Sequence, residues 1–486
     1  MKRIIYFSFT ALIVLTLIPG CKVDQAGNPT ENPVPALTEI SPKSKVAHMP
    51  AFTLTATGAN FVSNSIIMFN GTAKQTTYVS DSEITCRVEP GEIAAATGLS
   101  RTLGVQIPIL VRNPGPGGGD SDPLEFTVND SHTFYVAKKI TGGSSPQMPA
   151  AAVDSAGNIN VVCDNFSQGK FDVFFLRSSD NGASWSQAVN ISSSDGYSEY
   201  PDIAVDNAGN IGVFWGDNTS GISEIYFKRS TDGGTSWSQA VNISGNSGYS
   251  DQPDAVVDDS GNIDVVWYDS TPGNSEIFFS RSTDNGASWS QAVNISNSPA
   301  ISVRPDIAVA AGGNISVVWM DVISGYWQIF FSRSTDNGDT WSQPKKISYL
   351  WGNSYLPYIA VDNAGNLNVA WENDNFGNIF FSRSVDDGVT WSQAKNISAN
   401  LGGSFGFALA VDGARNIDFI YANGASGNTD IYFMRSTDDG GAWSQAVNIS
   451  DIPGESKFPV MAVDGAGNLN VVWIKGDYLY YTANTR

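Results

Sequence analysis

The amino-acid sequence points to an all-β protein, a β-sandwich followed by a β-propeller of four-stranded blades. Three features carry this expectation. The octapeptide Ser282-Thr283-Asp284-Asn285-Gly286-Ala287-Ser288-Trp289 has six versions, with aspartates at Asp180, Asp232, Asp284, Asp336, Asp386 and Asp438, spaced 52, 52, 52, 50 and 52 residues apart. A regular period of about 50 residues marks a repeat architecture. Between these turns the apolar residues fall in short runs without helical periodicity, so each unit reads as strands. Finally, all 13 tryptophans lie at or after Trp185, which sets a tryptophan-free segment, residues 35–130, apart from the repeats in 131–486.

Taken from its start, the chain opens with Lys2 and Arg3, an apolar run from Ile4 to Ile18, and Ile18-Pro19-Gly20-Cys21. That order is a targeting signal. It resembles a bacterial lipoprotein signal, residues 1–21, in which Cys21 is diacylated and becomes the mature N-terminus; an ordinary secretory signal is the alternative. Lysine at position 22, where some such proteins carry aspartate, implies the outer membrane. The expectation is an exported protein at the outer membrane or cell surface, touching the membrane through its lipid only. Residues 22–34 are polar with prolines and read as a flexible stalk.

Composition narrows the function classes. With 27 Lys and Arg against 48 Asp and Glu, the formal charge is −21, which argues against nucleic acid and anionic lipid as partners. Beyond Cys21 the cysteines are Cys86 and Cys163, in different expected domains, so no disulfide framework is expected. Only His48 and His132 are available to activate a thiol. No metal and no cofactor is expected.

Residues 35–130 carry short β-rich runs, among them Phe52–Ala56, Ser65–Phe69, Glu83–Val88, Leu103–Ile107 and Leu124–Val128, separated by turn signals. Such spacing suggests a β-sandwich. The segment also resembles an IPT/TIG immunoglobulin-like domain through Ile40-Ser41-Pro42, Gly58-Ala59-Asn60-Phe61, Phe69-Asn70-Gly71, Ile84-Thr85-Cys86 and Val111-Arg112-Asn113-Pro114. The resemblance implies a spacer or interaction module.

In the repeats, one unit shows the plan: strand A is Pro201–Asp206, strand B Ile211–Trp215, strand C Glu224–Arg229, and strand D runs from Trp237 to Ser244. Strand A occurs seven times, and the seventh unit lacks a strand D that Thr133–Thr141 can supply. Closing the ring in this way removes an open sheet edge. Seven blades are therefore expected, with six as the alternative. In the octapeptide, aspartate can accept backbone N–H groups of its own turn, glycine tolerates positive φ, and tryptophan can bury a large ring. The pattern resembles the Asp-box, or BNR repeat, of sialidase-like β-propellers. Five copies fit in full, and the sixth has Ala442 in place of the hydroxyl residue. In that family the boxes are peripheral, so the resemblance implies a fold and little about chemistry.

Several groups are candidates for function. The Asp-x-x-Gly-Asn turns between strands A and B offer one carboxylate each, too few oxygens for calcium. An acidic arc comprises Asp202, Asp254 and Asp306 on strand A, Asp217, Asp269 and Asp321 after strand B, and Glu224 and Glu276 on strand C. These carboxylates could cap backbone N–H groups, the favoured reading because they recur, or Asp254 and Glu276 could act as acid and base on a glycosidic bond. Sialidase-like enzymes use three arginines on a substrate carboxylate and usually carry a Phe-Arg-Ile-Pro motif. That motif is missing here, and Arg304 alone lies on the expected ligand face. Symmetry is broken by aromatics instead: Tyr326 and Trp327 in one loop, and Trp351 with Tyr349, Tyr355 and Tyr358 in the next. With Arg304 they are the expected ligand-binding residues, suited to sugar rings or a protein hot spot; a loop minicore is the competing reading. The sequence thus suggests a surface-anchored, non-catalytic protein recognising an extracellular glycan or surface protein. A glycoside hydrolase or lyase, and an envelope scaffold, are the alternatives.

Overall fold

The computed structural model describes residues 31–46, 51–89, 92, 105–129, 133–135, 137–141, 145–349, 352–373, 378–398, 404–424, 429–450 and 454–485. The signal with Cys21, the stalk up to Thr30, His48, His132 and Trp351 lie outside the described residues. The chain divides into two compact units between Thr133 and Phe134.

The first unit is a sandwich of two sheets. One runs Ala36–Ser41, Phe52–Ala59, Glu83–Val88, Thr76–Ser80; the other runs Ser44–Val46, Leu124–Asn129, Val105–Asn113, Ile66–Phe69, Thr72–Ala73, with Gly119–Asp120 also on Val105–Asn113. Alternation along the strands sends Leu54, Ala56, Ile84, Cys86, Ile107, Ile109 and Phe126 into one core. Phe52 stacks on Phe126 at 5.6 Å.

The second unit is a propeller. Among the described residues it contains seven sheets, six of them made of four consecutive strands. The seventh combines Ser456–Val463, Leu469–Lys475 and Tyr478–Thr485 with the short strands Thr133–Phe134 and Lys138–Lys139 that precede the first blade. Lys138 pairs with Tyr481 and Lys139 with Tyr480, and Thr482 Oγ1 donates to the Tyr135 carbonyl. Each sheet buries one face against the next. Val162, Val173 and Phe175 of blade 1 meet Ile203, Val213 and Trp215 of blade 2, and so on round to Val472, Leu479 and Tyr481 of blade 7, which meet Ile159, Val161 and Leu176 of blade 1. The ring is closed. Trp215, Trp267, Trp319, Trp371 and Trp473 occupy one strand-B position and are at most 1% exposed. Burying each such ring stabilises the ring of sheets by about 1.5–3 kcal/mol.

The boxes are hydrogen-bonded turns. Ser282 Oγ donates to Asp284 Oδ1 at 2.9 Å and accepts from Gly286 N at 2.7 Å, while Ser288 donates its N–H to Oδ1 and its hydroxyl to Oδ2. In the sixth box Ala442 keeps the N–H bond to Asp438 at 2.7 Å and has no hydroxyl to give. Trp289 meets Phe227 of the preceding blade edge-on at 5.4 Å. One expectation is corrected here. The outermost strand is two residues long, Val241–Asn242 in blade 2, not a run from Trp237 to Ser244. The run on either side of it still follows strand C but pairs irregularly, with Ser238 N donating to the Arg229 carbonyl, its Oγ accepting from Arg229 N, and Ile243 N donating to the Ile225 carbonyl.

Candidate functional site

The inner strands of the propeller share a defect that builds its central channel. In Ser198–Val205 the register with the next strand skips between Glu199 and Asp202; the same skip falls at Asp251/Asp254, Val303/Asp306, Tyr355/Tyr358 and the matching places of the other blades. This is a β-bulge, which re-aims side chains at a strand end. At each bulge one residue has positive φ: Met148, Tyr200, Gln252, Arg304, Leu356, Gly406 and Phe458, with φ from 37° to 103°. Proline follows it in every blade but the sixth, where Phe407 stands. These seven residues and those just after them line a cavity of about 240 Å³.

Two residues further in lie Ala150, Asp202, Asp254, Asp306, Tyr358 and Val460 of the other blades, while in the sixth blade Phe407, one residue after Gly406, lines the cavity. The three aspartates are adjacent, and each reaches the next blade. Asp202 Oδ2 accepts from Ala255 N at 2.8 Å, Asp254 Oδ2 from Ile307 N at 2.6 Å, and Asp306 Oδ2 from Ile359 N at 2.6 Å. Loss of hydration in the channel pushes Asp202 up to about 6 and Asp306 to about 8. Asp254 is raised well above the carboxylate range, by desolvation first and then by the charges of Asp306 and Asp202. The far side of the channel is apolar, with Tyr358 edge-on to Phe407 at 5.0 Å.

Above the aspartates the mouth is polar on blades 1 to 4. Asp164, 3% exposed, accepts Tyr200 N at 3.2 Å through Oδ2, and its Oδ1 is buried without a partner. Burial, then the charges of Glu199 and Asp251, push Asp164 up to about 7. Asp251 receives the Tyr249 hydroxyl at 2.6 Å and Gln252 N at 2.8 Å. It fits because position 216 is glycine: a Cβ there would lie 2.3 Å from Asp251 Oδ1. Tyr249 stacks on Tyr268 at 6.1 Å. Arg304 is exposed at this mouth, and its guanidinium has no hydrogen bond or ion pair among the described residues. Its counterparts beside the boxes are all paired, for instance Arg177 with Asp154 at 2.9 Å and Arg281 with Asp264 at 2.7 Å.

The expected ligand residues separate. Arg304 and Tyr358 line the channel. Trp327 and Tyr355 are partly buried against the core between blades 4 and 5, together with Val303, and Tyr326 is 51% exposed on the hairpin. That hairpin and the segment leading into blade 5 are neighbours, since Trp327 N donates to Asn353 Oδ1 at 2.9 Å and Gln328 Nε2 to the Gly352 carbonyl at 2.8 Å. The acidic arc separates too. Asp254 is in the channel, whereas Glu276 is 3% exposed and its oxygens accept Ser296 Oγ, Ser298 N and Asn274 Nδ2. A carboxylate so occupied holds a loop and has nothing left for an acid or base role. Asp269 is likewise taken, by Ser250 Oγ at 2.8 Å and Thr271 N at 2.7 Å. In the A–B turns, Asp206 Oδ1 accepts Ala208 N and Asn210 N, and Oδ2 accepts Asn210 Nδ2. Among the described residues no group of three or more His, Cys, Asp or Glu could hold a metal ion.

Sequence reasoning missed Asp164, Glu199, Tyr200, Tyr249, Asp251, Gln252 and Tyr268. A signal existed. The residues of the bulge series recur at intervals of 52 or 50 and differ in every blade, within a strand otherwise repeated.

The family model described as BNR repeat-like domain matches residues 222–471, and the IPT/TIG domain model matches residues 35–128. No curated protein matches the chain. Among solved structures, a polysaccharide lyase, an ulvan lyase, is similar at 14% identity and TM-score 0.53, covering 71% of this chain and 95% of its own. An α-L-arabinofuranosidase from Fusarium graminearum is similar at 13% identity and TM-score 0.47, covering 66% and 99%. The NanB sialidase of Streptococcus pneumoniae is similar at 13% identity and TM-score 0.44, covering 89% and 83%. At such identities the likeness concerns the fold.

Proposed function

The chain belongs to the BNR repeat-like family and carries an IPT/TIG domain, and from that premise we propose that it recognises a glycan at the mouth of its propeller channel. One observation carries the reading. The bulge positions Met148, Tyr200, Gln252, Arg304, Leu356, Gly406 and Phe458 all aim at one cavity, and no two are alike. A structural position in a repeat would be filled alike; a site that reads an asymmetric ligand must not be. The mouth joins an apolar half, Leu356 and Phe458, to a polar half with an unpaired guanidinium, the mixture of ring-stacking and hydrogen-bonding surface that sugars need. We place the protein at the cell surface, anchored through Cys21, with the IPT/TIG domain between anchor and propeller.

The test is a glycan array probed with the full chain and its Arg304→Ala variant. Binding that falls about tenfold or more in the variant supports the reading. Binding that Arg304→Ala leaves intact removes the mouth as the site, and a blank array moves protein partners to the front. Loss of lipid labelling in Cys21→Ser checks the anchor.

A second reading, cleavage of the bound glycan, is favoured by Asp164, whose acid is pushed up to about 7 beside the channel. A carboxyl still protonated near neutrality can serve as a general acid. New reducing ends released by the wild type and absent with Asp164→Asn would establish it.

A further inference from the structure

The charges at the mouth do not balance. On blades 1 to 3 Asp164, Glu199 and Asp251 gather above the channel aspartates, and the cation facing them is Arg304. Asp251 is held by Tyr249 and by the backbone of Gln252. The carboxylate of Glu199, half-buried, has no hydrogen bond or ion pair among the described residues. The second observation is Asp164 itself: 3% exposed, one oxygen tied to the backbone of the channel residue Tyr200, and the other unpartnered. Leaving a buried acceptor unmatched is costly, and a bound donor would relieve it. Beside the boxes buried carboxylates meet arginine, as Asp258 and Asp264 meet Arg281. Here the stacked rings of Tyr249 and Tyr268 stand beside the acids instead. Carboxylates together with aromatic faces are the surroundings that favour an ammonium group. Gly216 makes the arrangement possible, because any side chain there would displace Asp251.

We propose that this part of the mouth is a pocket for an ammonium group, so that the glycan it takes is an amine-bearing one, such as a de-N-acetylated glucosamine chain. The inference rests on the glycan reading above and adds the chemistry of the sugar. An N-acetyl group in the same place would bring no charge to Glu199 and Asp251.

Calorimetric titration of the full chain with three probes tests it: glucosamine hexamer, N-acetylglucosamine hexamer and tetralysine. The glucosamine hexamer should bind about tenfold or more tightly than the acetylated one, and Glu199→Gln should abolish that preference. Glu199→Gln keeps the size of the side chain, and an unchanged melting temperature shows that the variant is folded; Asp251→Asn gives an independent second variant. Equal binding of the two hexamers overturns the amine inference and leaves the glycan reading standing. Binding of tetralysine with neither hexamer supports the ammonium pocket and overturns the glycan. Silence from all three probes, or a preference that survives both variants, overturns the pocket.

Discussion

Asp202, Asp254 and Asp306 show how far single residues could be read. Their recurrence pointed to backbone capping, and each does accept an N–H of the next blade. What recurrence could not convey is that they converge on one dehydrated channel. Asp306, raised to about 8 against 3.8 for a free aspartate, keeps in the folded state a proton that the unfolded chain gives up. The stabilisation from this group is therefore full below about pH 4 and lost as pH climbs towards 8. Asp306→Asn cannot ionise, so its melting temperature relative to wild type should rise between pH 5 and pH 9. A difference that stays flat over that range would mean that Asp306 titrates normally. Gly216→Ala tests the other cluster: the added methyl would meet Asp251 Oδ1 at 2.3 Å, so ligand affinity should fall with little change in melting temperature. Loss of folding instead would show that Gly216 serves packing first. Arg304 was legible as the one arginine on the ligand face. Its partners were not, because a bulge in an inner strand is visible only when the blades are laid side by side.

Within a blade the box was the most legible element. Its Ser, Asp and Gly take the roles their chemistry suggests, and its tryptophan packs edge-on against a phenylalanine of the preceding blade. Gly286 has φ +82°, and a Cβ there would come within 2.1 Å of Phe227. Gly286→Ala should cost about 2–4 kcal/mol in urea unfolding, from the left-handed backbone plus overpacking. Gly312, in the A–B turn of blade 4, has open space around its Cβ position and should tolerate alanine within about 0.5 kcal/mol. If the two behave alike, the box glycine is not the constraint described. The outer strand was less legible. The run after each tryptophan is β-prone, yet its regular pairing covers only two residues because the serine that follows the tryptophan takes the strand C N–H with its hydroxyl oxygen, where a ladder would use a carbonyl. A pairing decided by one side-chain hydrogen bond leaves no periodic trace.

Closure ties these blades into one object. The last strand, Tyr478–Thr485, would be an open edge, and the start of the unit covers it: Tyr135 N reaches the Ala483 carbonyl, Ile140 N the Leu479 carbonyl, and Thr141 Oγ1 accepts Leu479 N. Deleting residues 134–141 should bare that edge, and light scattering should then report oligomers or aggregate where the intact chain is monodisperse. A monodisperse, fully folded deletion would show that the strand is dispensable. Ring closure was readable by counting strands, since an incomplete last unit and a spare first strand fit together. The function of the ring was not, because it depends on side chains from separate blades meeting at one opening. The decisive measurement replaces Tyr200, Gln252 and Arg304 together by leucine, the residue that already stands at the same bulge in blade 5 as Leu356. With the bulge geometry kept, the melting temperature should hold and glycan binding should disappear. Binding that persists in a folded triple variant would contradict recognition at the channel mouth.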